Sequence, residues 1–292
     1  MSHALDALVA TLGVTPLGEH RFSGRGSTND GADGTYGGHY LGQATAALLA
    51  DNDDARQLHS LHAYFLRAGQ PEQAYEYCVE RVREGRSFSN RRVQCWQQGK
   101  LIFEMTASLM VPESGVSMDA IPPDDFATLP APESLPRYGD VMRGLDPLPL
   151  PPAWALREHG IDLRPLNAPW CERGVSAAGG IRHWIRADGA LPDDNRLHTA
   201  LLAYQSDESI SDNILIPFGV NWGAPGLSFV SLDHAMWFHQ PVDLNDWLFI
   251  EQWPARAGRG RGLAHARVWN RAGELVASFA QEALLRLAPT DK

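Results

Sequence analysis

Cysteine is scarce in this 292-residue chain: Cys78, Cys95 and Cys171 are odd in number, widely spaced and form no C-x-x-C pair. They support neither a disulfide framework nor a zinc cluster, and reduced thiols in the cytoplasm are the expectation. Positive charge is short as well, with 25 Lys and Arg against 35 Asp and Glu and a formal net charge of −10. That balance argues against nucleic acid as a partner, because phosphate backbones are held by clustered basic side chains. The one basic cluster, residues 256–261, is short and glycine-rich and reads as a solvated loop. No apolar run reaches membrane-spanning length. Residues 1–15 have no basic n-region, and the spacing of Leu5, Leu8, Val9 and Leu12 predicts a short amphipathic helix, not a signal peptide.

Familiar catalytic signatures are missing too. There is no G-x-S-x-G elbow to activate a serine and no H-E-x-x-H pair for zinc. Gly258-x-Gly260-x-Gly262 lacks the spacing and the strand-to-helix context that let backbone amides cradle a phosphate. His234 and His239 sit close together but suggest no third ligand, so both are expected to be packed or hydrogen-bonded structure. No cofactor and no metal are expected.

What is present is length and apolar content, enough for two domains with a core each. Twelve of the twenty prolines fall within 112–169, which predicts a linker at 113–168 between domains at 1–112 and 169–292. Trp154, Met142 and several leucines predict that this linker lies against a surface. The two flanks repeat each other in order. His62-Ala63-Tyr64-Phe65-Leu66 precedes a turn at Gly99, and His234-Ala235-Met236-Trp237-Phe238 precedes a turn at Gly273, at offsets of 172 and 174 residues. Each half has a helix pattern, at 43–50 and 197–204. Strand patterns follow at 75–79, 91–96 and 101–110, and again at 247–253, 263–269 and 275–287. One helix against a mostly antiparallel sheet, twice over, predicts an α+β architecture of two fused hotdog domains, each a curved sheet wrapped around its helix.

Three polar residues interrupt these patterns. Asp207 follows the second helix pattern, where a carboxylate meets the unfavourable end of the helix dipole. Gln281 breaks the last strand pattern at the place where the first half, aligned on its glycine turn, has Ala107. Ser231 puts a hydroxyl into the strand Phe229-Val230-Ser231-Leu232. Singly, each has an ordinary structural explanation.

Longer segments point further. Gly37-Gly38-His39-Tyr40-Leu41-Gly42-Gln43-Ala44, His59-Ser60-Leu61-His62-Ala63-Tyr64-Phe65-Leu66-Arg67 and Gly85-Arg86-Ser87-Phe88-Ser89-Asn90-Arg91-Arg92-Val93 resemble the acyl-CoA thioesterase II family, in order. So do Ala203-Tyr204-Gln205-Ser206-Asp207, Leu232-Asp233-His234-Ala235-Met236-Trp237-Phe238-His239 and Val276-Ala277-Ser278-Phe279-Ala280-Gln281-Glu282. The resemblance implies a double-hotdog hydrolase of fatty acyl-CoA, active in fatty acid metabolism, in which an Asp, a Thr or Ser and a Gln hold the attacking water. Carried over motif by motif, these are Asp207, Ser231 and Gln281, all in the second half, with the first half lining the acyl pocket. A thioester expels a thiolate whose parent thiol has a pKa of about 8.5, so a positioned water suffices. Asp207 would be its general base, with backbone N–H groups near the second helix holding the carbonyl oxygen.

Three departures from the family pattern stand out: Ser231 where many relatives have Thr, His39 where many have Gln, and an acidic run at 207–212. That run is expected to raise the Asp207 pKa by like-charge repulsion, or to mark an unusual substrate. The competing reading is a double hotdog that binds acyl-CoA or an acyl chain without hydrolysing it. A hotdog hydratase is disfavoured, because no D-x-x-x-x-H segment is placed like the dyad of such enzymes. Sheet edges of this architecture tend to pair, so a homodimer or larger homo-oligomer is expected.

Overall fold

In the computed structural model, residues 2–26, 34–52, 56–146, 148, 152–167 and 180–288 are described. Cys171 and the 168–169 boundary lie outside them, while Cys78 and Cys95 are free thiols. The strands in chain order are β1 (Thr15–Gly18), β2 (Arg21–Arg25), β3 (Gln57–Phe65), β4 (Ala74–Glu84), β5 (Phe88–Gln97) and β6 (Lys100–Met110). They continue with β7 (Ile161–Pro165), β8 (Arg182–Ala187), β9 (Leu227–Phe238), β10 (Leu248–Gly258), β11 (Arg261–Asn270) and β12 (Leu275–Leu287). All twelve join one sheet in the order β1-β2-β4-β5-β6-β3-β9-β12-β11-β10-β8-β7. The α-helices are α1 (His3–Leu12), α2 (Gly37–Ala50), α3 (Tyr138–Arg143), α4 (Pro152–Ala155), α5 (Asn195–Gln205) and α6 (Asp212–Leu215). This is the expected pair of hotdogs, with α2 and α5 as the two central helices.

The repeat explains the middle of the sheet. β3 and β9 pair antiparallel with His62 opposite Ala235 and Ala63 opposite His234. The landmark residues of the two halves therefore meet across a local two-fold axis, and a single apolar core runs through both halves. Gln98 and Gly99 (φ 50° and 71°) turn β5 into β6, as a two-residue hairpin with both residues left-handed requires. Arg259 and Gly260 (φ 56° and 77°) do the same for β10 and β11. Most of the basic cluster at 256–261 is therefore strand and not the expected solvated loop, because this turn lets both strands run on past the apolar pattern.

Helix α1 is as its leucine spacing predicts: Ser2 Oγ accepts the Leu5 N–H at 3.2 Å, and Leu5 and Leu12 are buried. α5 starts at Asp194, whose carboxylate accepts the Arg196 N–H at 3.0 Å. α2 begins at Gly37, ahead of the helix pattern at 43–50, which stops short because glycines 37, 38 and 42 have low intrinsic propensity. Tertiary contact overrides propensity there. A Cβ at Gly38 would stand 2.2 Å from the carbonyl oxygen of Tyr204, and one at Gly42 would stand 3.1 Å from Tyr204 Cβ. Glycine thus lets α2 and α5 cross antiparallel at backbone distance.

Much of the proline-rich stretch is fastened down. Met142 is buried, and Phe126, Leu129 and Leu135 pack on Trp184, Trp247, Phe249 and Trp269. Asp125 takes two hydrogen bonds from the Arg182 guanidinium, each 2.7 Å. Residues 161–165 form β7, which pairs with β8 at the sheet edge, a position that tolerates Pro165. Among the described residues no helix is long and apolar enough to cross a membrane.

Candidate functional site

Asp207 sits just beyond the C-terminus of α5, where the N-terminus of α2 meets it. The antiparallel crossing makes this so: Tyr36, the residue before α2, donates from its hydroxyl to the Tyr204 carbonyl at 3.0 Å. A Cβ at Gly37 would lie 2.6 Å from Asp207 Oδ2, and the backbone of Gly38 is near enough to lower the pKa of the carboxyl. Tyr36 supplies no side-chain cap, so the first N–H groups of α2 remain for other partners. The positive end of α2 thereby offsets the unfavourable end of α5. Asp207 is only 8% exposed, and its Oδ1 has no hydrogen-bond partner among the described residues.

Ser231 and Gln281 come together on neighbouring strands. Gln281 on β12 is fully buried, and its Nε2 donates to Ser231 Oγ on β9 at 2.7 Å. The pairing depends on a bulge. Asp233 is opposite Glu282 and Ser231 is opposite Ala283, which leaves Leu232 as an extra residue. Strict alternation would turn Ser231 and His234 to opposite faces, but the bulge puts both against Gln281. Asp233 secures the bulge by accepting the Glu282 N–H at 3.0 Å. His234 Nδ1 bonds Gln281 Oε1, and His234 Nε2 lies 2.9 Å from Ser206 Oγ.

Burial governs the electrostatics. It pushes the Asp207 carboxyl up from 3.8 to about 7, against hydrogen bonds from Gln281 and Gly38 that lower it. The charge of Glu208 adds the smallest of these contributions, so the expected like-charge effect exists but is not what sets the shift. Glu208 is itself paired with Arg157, whose guanidinium lies 3.3 Å from the centre of the Trp154 ring. The linker thus reaches the residue beside the candidate base. Asp212, held by Trp222 Nε1 at 2.7 Å, is also raised by burial to about 7.

His39 is buried in α2 with its ring 6.0 Å from that of Tyr204, so this departure from the family pattern is a packing residue beside the site. In the first half Ala107 is buried on β6 opposite Arg91, which pairs with Glu84 at 2.6 Å. No amide stands there to match Gln281. His234 is the residue that sequence reasoning set aside as ordinary structure. Its place directly after Asp233 in one of the quoted segments was the available signal.

A buried polar network holds the segment after Asp207. Asn213 Oδ1 accepts the Ile181 N–H at 2.8 Å, and its Nδ2 reaches Gln252 Oε1 at 2.9 Å. Ser209 Oγ donates to the same Gln252 oxygen at 3.0 Å. Asn213→Ala leaves the Ile181 N–H buried without a partner and is expected to cost about 2–4 kcal/mol. Chemical denaturation would measure it, and a loss below 1 kcal/mol would contradict this account. Among the described residues no group of three or more His, Cys, Asp or Glu is placed to hold a metal ion.

Comparison with known proteins follows the same division into halves. The family model described as acyl-CoA thioesterase matches residues 167–284, and that of the acyl-CoA thioesterase N-terminal domain matches residues 25–110. Acyl-coenzyme A thioesterase 8 of Mus musculus is 34% identical, over 97% of this chain and 89% of its own length. Acyl-CoA thioesterase 2 of Haemophilus influenzae is 32% identical, over 99% of this chain and 100% of its own. A crystal structure of an acyl-CoA thioesterase II, TesB2, from Mycobacterium marinum superposes with a TM-score of 0.76 at 31% identity, covering 96% and 98% of the two chains.

Proposed function

The chain belongs to the acyl-CoA thioesterase family, and from that premise we propose that it hydrolyses acyl-CoA through a water held by Asp207, Ser231 and Gln281. The observation that carries the proposal is one amide beside two groups: Gln281 donates to Ser231 at 2.7 Å and is close enough to the buried Asp207 carboxyl to lower its pKa against the effect of burial. An acid with a pKa near 7 is well matched to general-base work at neutral pH, because half of it is ionised while it keeps appreciable basicity.

In the proposed reaction, ionised Asp207 takes a proton from the water as the water oxygen bonds to the thioester carbonyl carbon. Ser231 and Gln281 fix the direction of attack. The N-terminal N–H groups of α2 face this end of the molecule, whereas the N-terminus of α5 is about 16 Å away along its own axis. Oxyanion stabilisation therefore falls to α2 and not, as expected above, to the second helix. When the C–S bond breaks, the CoA thiolate leaves and takes up the proton from Asp207. Removal of a single hydroxyl or amide that directs the water is expected to lower the rate less than removal of the base.

The decisive experiment mixes purified protein with acyl-CoA esters of increasing chain length and follows free thiol. Saturable release at a chain-length optimum supports hydrolysis. Tight binding with no thiol released would favour the non-catalytic acyl-CoA carrier. The 1–112 and 169–292 domains, the cytoplasmic setting and a homo-oligomer belong to the same proposal. The oligomer is supported by edge strands β1 and β7, each paired on one side only among the described residues, and light scattering on the purified chain would test it.

A further inference from the structure

We propose that His234 is a positioning residue of this site, fixing which way round the Gln281 amide stands; the inference rests on the triad reading above. An amide with its oxygen and nitrogen exchanged fills the same volume, so packing alone does not choose between the two orientations. Hydrogen bonds must choose. Gln281 serves Ser231 and Asp207 only if its N–H groups face them, since a reversed amide would set its oxygen against a carboxylate.

The group on the other side of the amide is His234 Nδ1, bonded to Gln281 Oε1. As an N–H donor it accepts company only from the amide oxygen. Ser206 supports the tautomer with the proton on Nδ1. Its Oγ stands 2.9 Å from Nε2, and a hydroxyl that donates there leaves the ring proton on Nδ1. Ser206 Oγ also lies 2.9 Å from the Ala203 carbonyl oxygen and 3.3 Å from Met236 Sδ. Donation to Ala203 instead would let Oγ accept from a protonated Nε2, but that tautomer presents a bare Nδ1 to the amide and suits only a reversed Gln281 with its oxygen toward Asp207. Burial holds the ring neutral, with its pKa down at about 4, so one ring nitrogen carries a proton and the other does not. The stacked ring of Phe279, 5.7 Å away between centroids, keeps the imidazole plane in place.

Donation then runs one way, from Ser206 to His234 to Gln281 to Ser231. The end of the chain matters for chemistry: Ser231 Oγ accepts from Gln281 and keeps its own proton to give to the water or the substrate. Two residues that reach no substrate, Ser206 and His234, thereby set the polarity of the two that do.

The test is a set of variants of the full chain assayed by thiol release. His234→Leu is expected to lower kcat about 30-fold with KM within about two-fold, as for loss of a group that orients a catalytic one. His234→Asn keeps an amide N–H where Nδ1 stands and is expected to recover to within about three-fold of wild type. Because His234 acts through Gln281, His234→Leu should cost almost nothing further in a Gln281→Ala background. Ser206→Ala removes only the hydroxyl that supports this tautomer. It is expected to cost about five-fold in kcat, again only while Gln281 is present, and it serves if the leucine variant does not fold. Equal losses in both backgrounds, or an asparagine variant as impaired as leucine at the same melting temperature, would overturn the inference. So would full kcat in His234→Leu where Gln281→Ala is impaired, with the triad reading left standing. Full kcat in Gln281→Ala would overturn both.

Discussion

Asp207→Asn is expected to lower kcat about 10³-fold with little change in KM, the usual loss when a positioned base is replaced by its isostere. The same substitution should make the protein more stable above neutral pH. The carboxyl has a pKa of 3.8 in the unfolded chain and about 7 in the folded one. The folded state therefore holds more protons between those values, and stability contributed below pH 4 is lost as pH rises to 7. Asparagine has nothing to lose. The variant's advantage should be absent at pH 4, grow across that window and level off above it. Three pKa units set an upper bound of roughly 4 kcal/mol, and about 2 kcal/mol is expected because the asparagine amide must itself be buried with its polar groups incompletely satisfied. Histidines buried neutral act in the opposite direction at low pH, so the wild-type curve alone would mix several groups. The difference between variant and wild type isolates Asp207. In the wild type, kcat/KM should rise with ionisation of the same group and level off above about pH 7. Retained turnover in the variant, or an equal stability difference at pH 4 and pH 8, would remove Asp207 from this role.

Gly38→Ala is the second large effect. One methyl group there must displace the Tyr204 carbonyl oxygen, 2.2 Å away, or the Tyr36 ring, whose Cε1 is 2.4 Å away. Both belong to the crossing that sets α2 against Asp207, and neither is the far end of a flexible side chain. Destabilisation of about 3 kcal/mol is expected, since overpacking here pushes backbone from backbone. Activity should fall by more than the folded fraction does, because the N-terminus of α2 moves away from the carboxylate. A thermal melt paired with kcat on the folded protein separates the two losses. Alanine accepted with neither would mean that the helices can part without consequence.

Ser231 and Gln281 show where sequence reading reached and where it stopped. Gln281 was legible because a long polar side chain inside the apolar strand pattern 276–280 needs a partner, and the strand that carries it, β12, runs where that pattern predicts. Ser231 was legible only by resemblance. By alternation it and His234 belong on opposite faces, and the extra residue Leu232 that reunites them leaves no mark in the pattern of apolar and polar residues. Arg157 was hidden for a different reason. It lies in a stretch with few apolar periods, and its ion pair with Glu208 joins residues that no local rule relates.

The helix starts make the same point. α1 and α5 begin where Ser2 and Asp194 can cap them, a signal written in the residues themselves. α2 begins among glycines that disfavour helix, because contact with α5 outweighs propensity.

By itself the sequence determined two α+β repeats, their central helices, most of their strands, the membership in a thioesterase family and the three polar residues that interrupt otherwise apolar patterns. The repeats, helices and strands are consequences of period and turn chemistry, which act over a few residues and are therefore written locally, whereas the family and the roles of Asp207, Ser231 and Gln281 came from the resemblance of whole segments. Only the tertiary structure decided that the glycine-rich start of α2 closes on Asp207, that a bulge turns Ser231 toward Gln281, and that Ser206 and His234 stand behind the amide. Each of these depends on which distant backbones can approach and which buried hydrogen bonds must then be satisfied, and both are settled only when the two halves pack together.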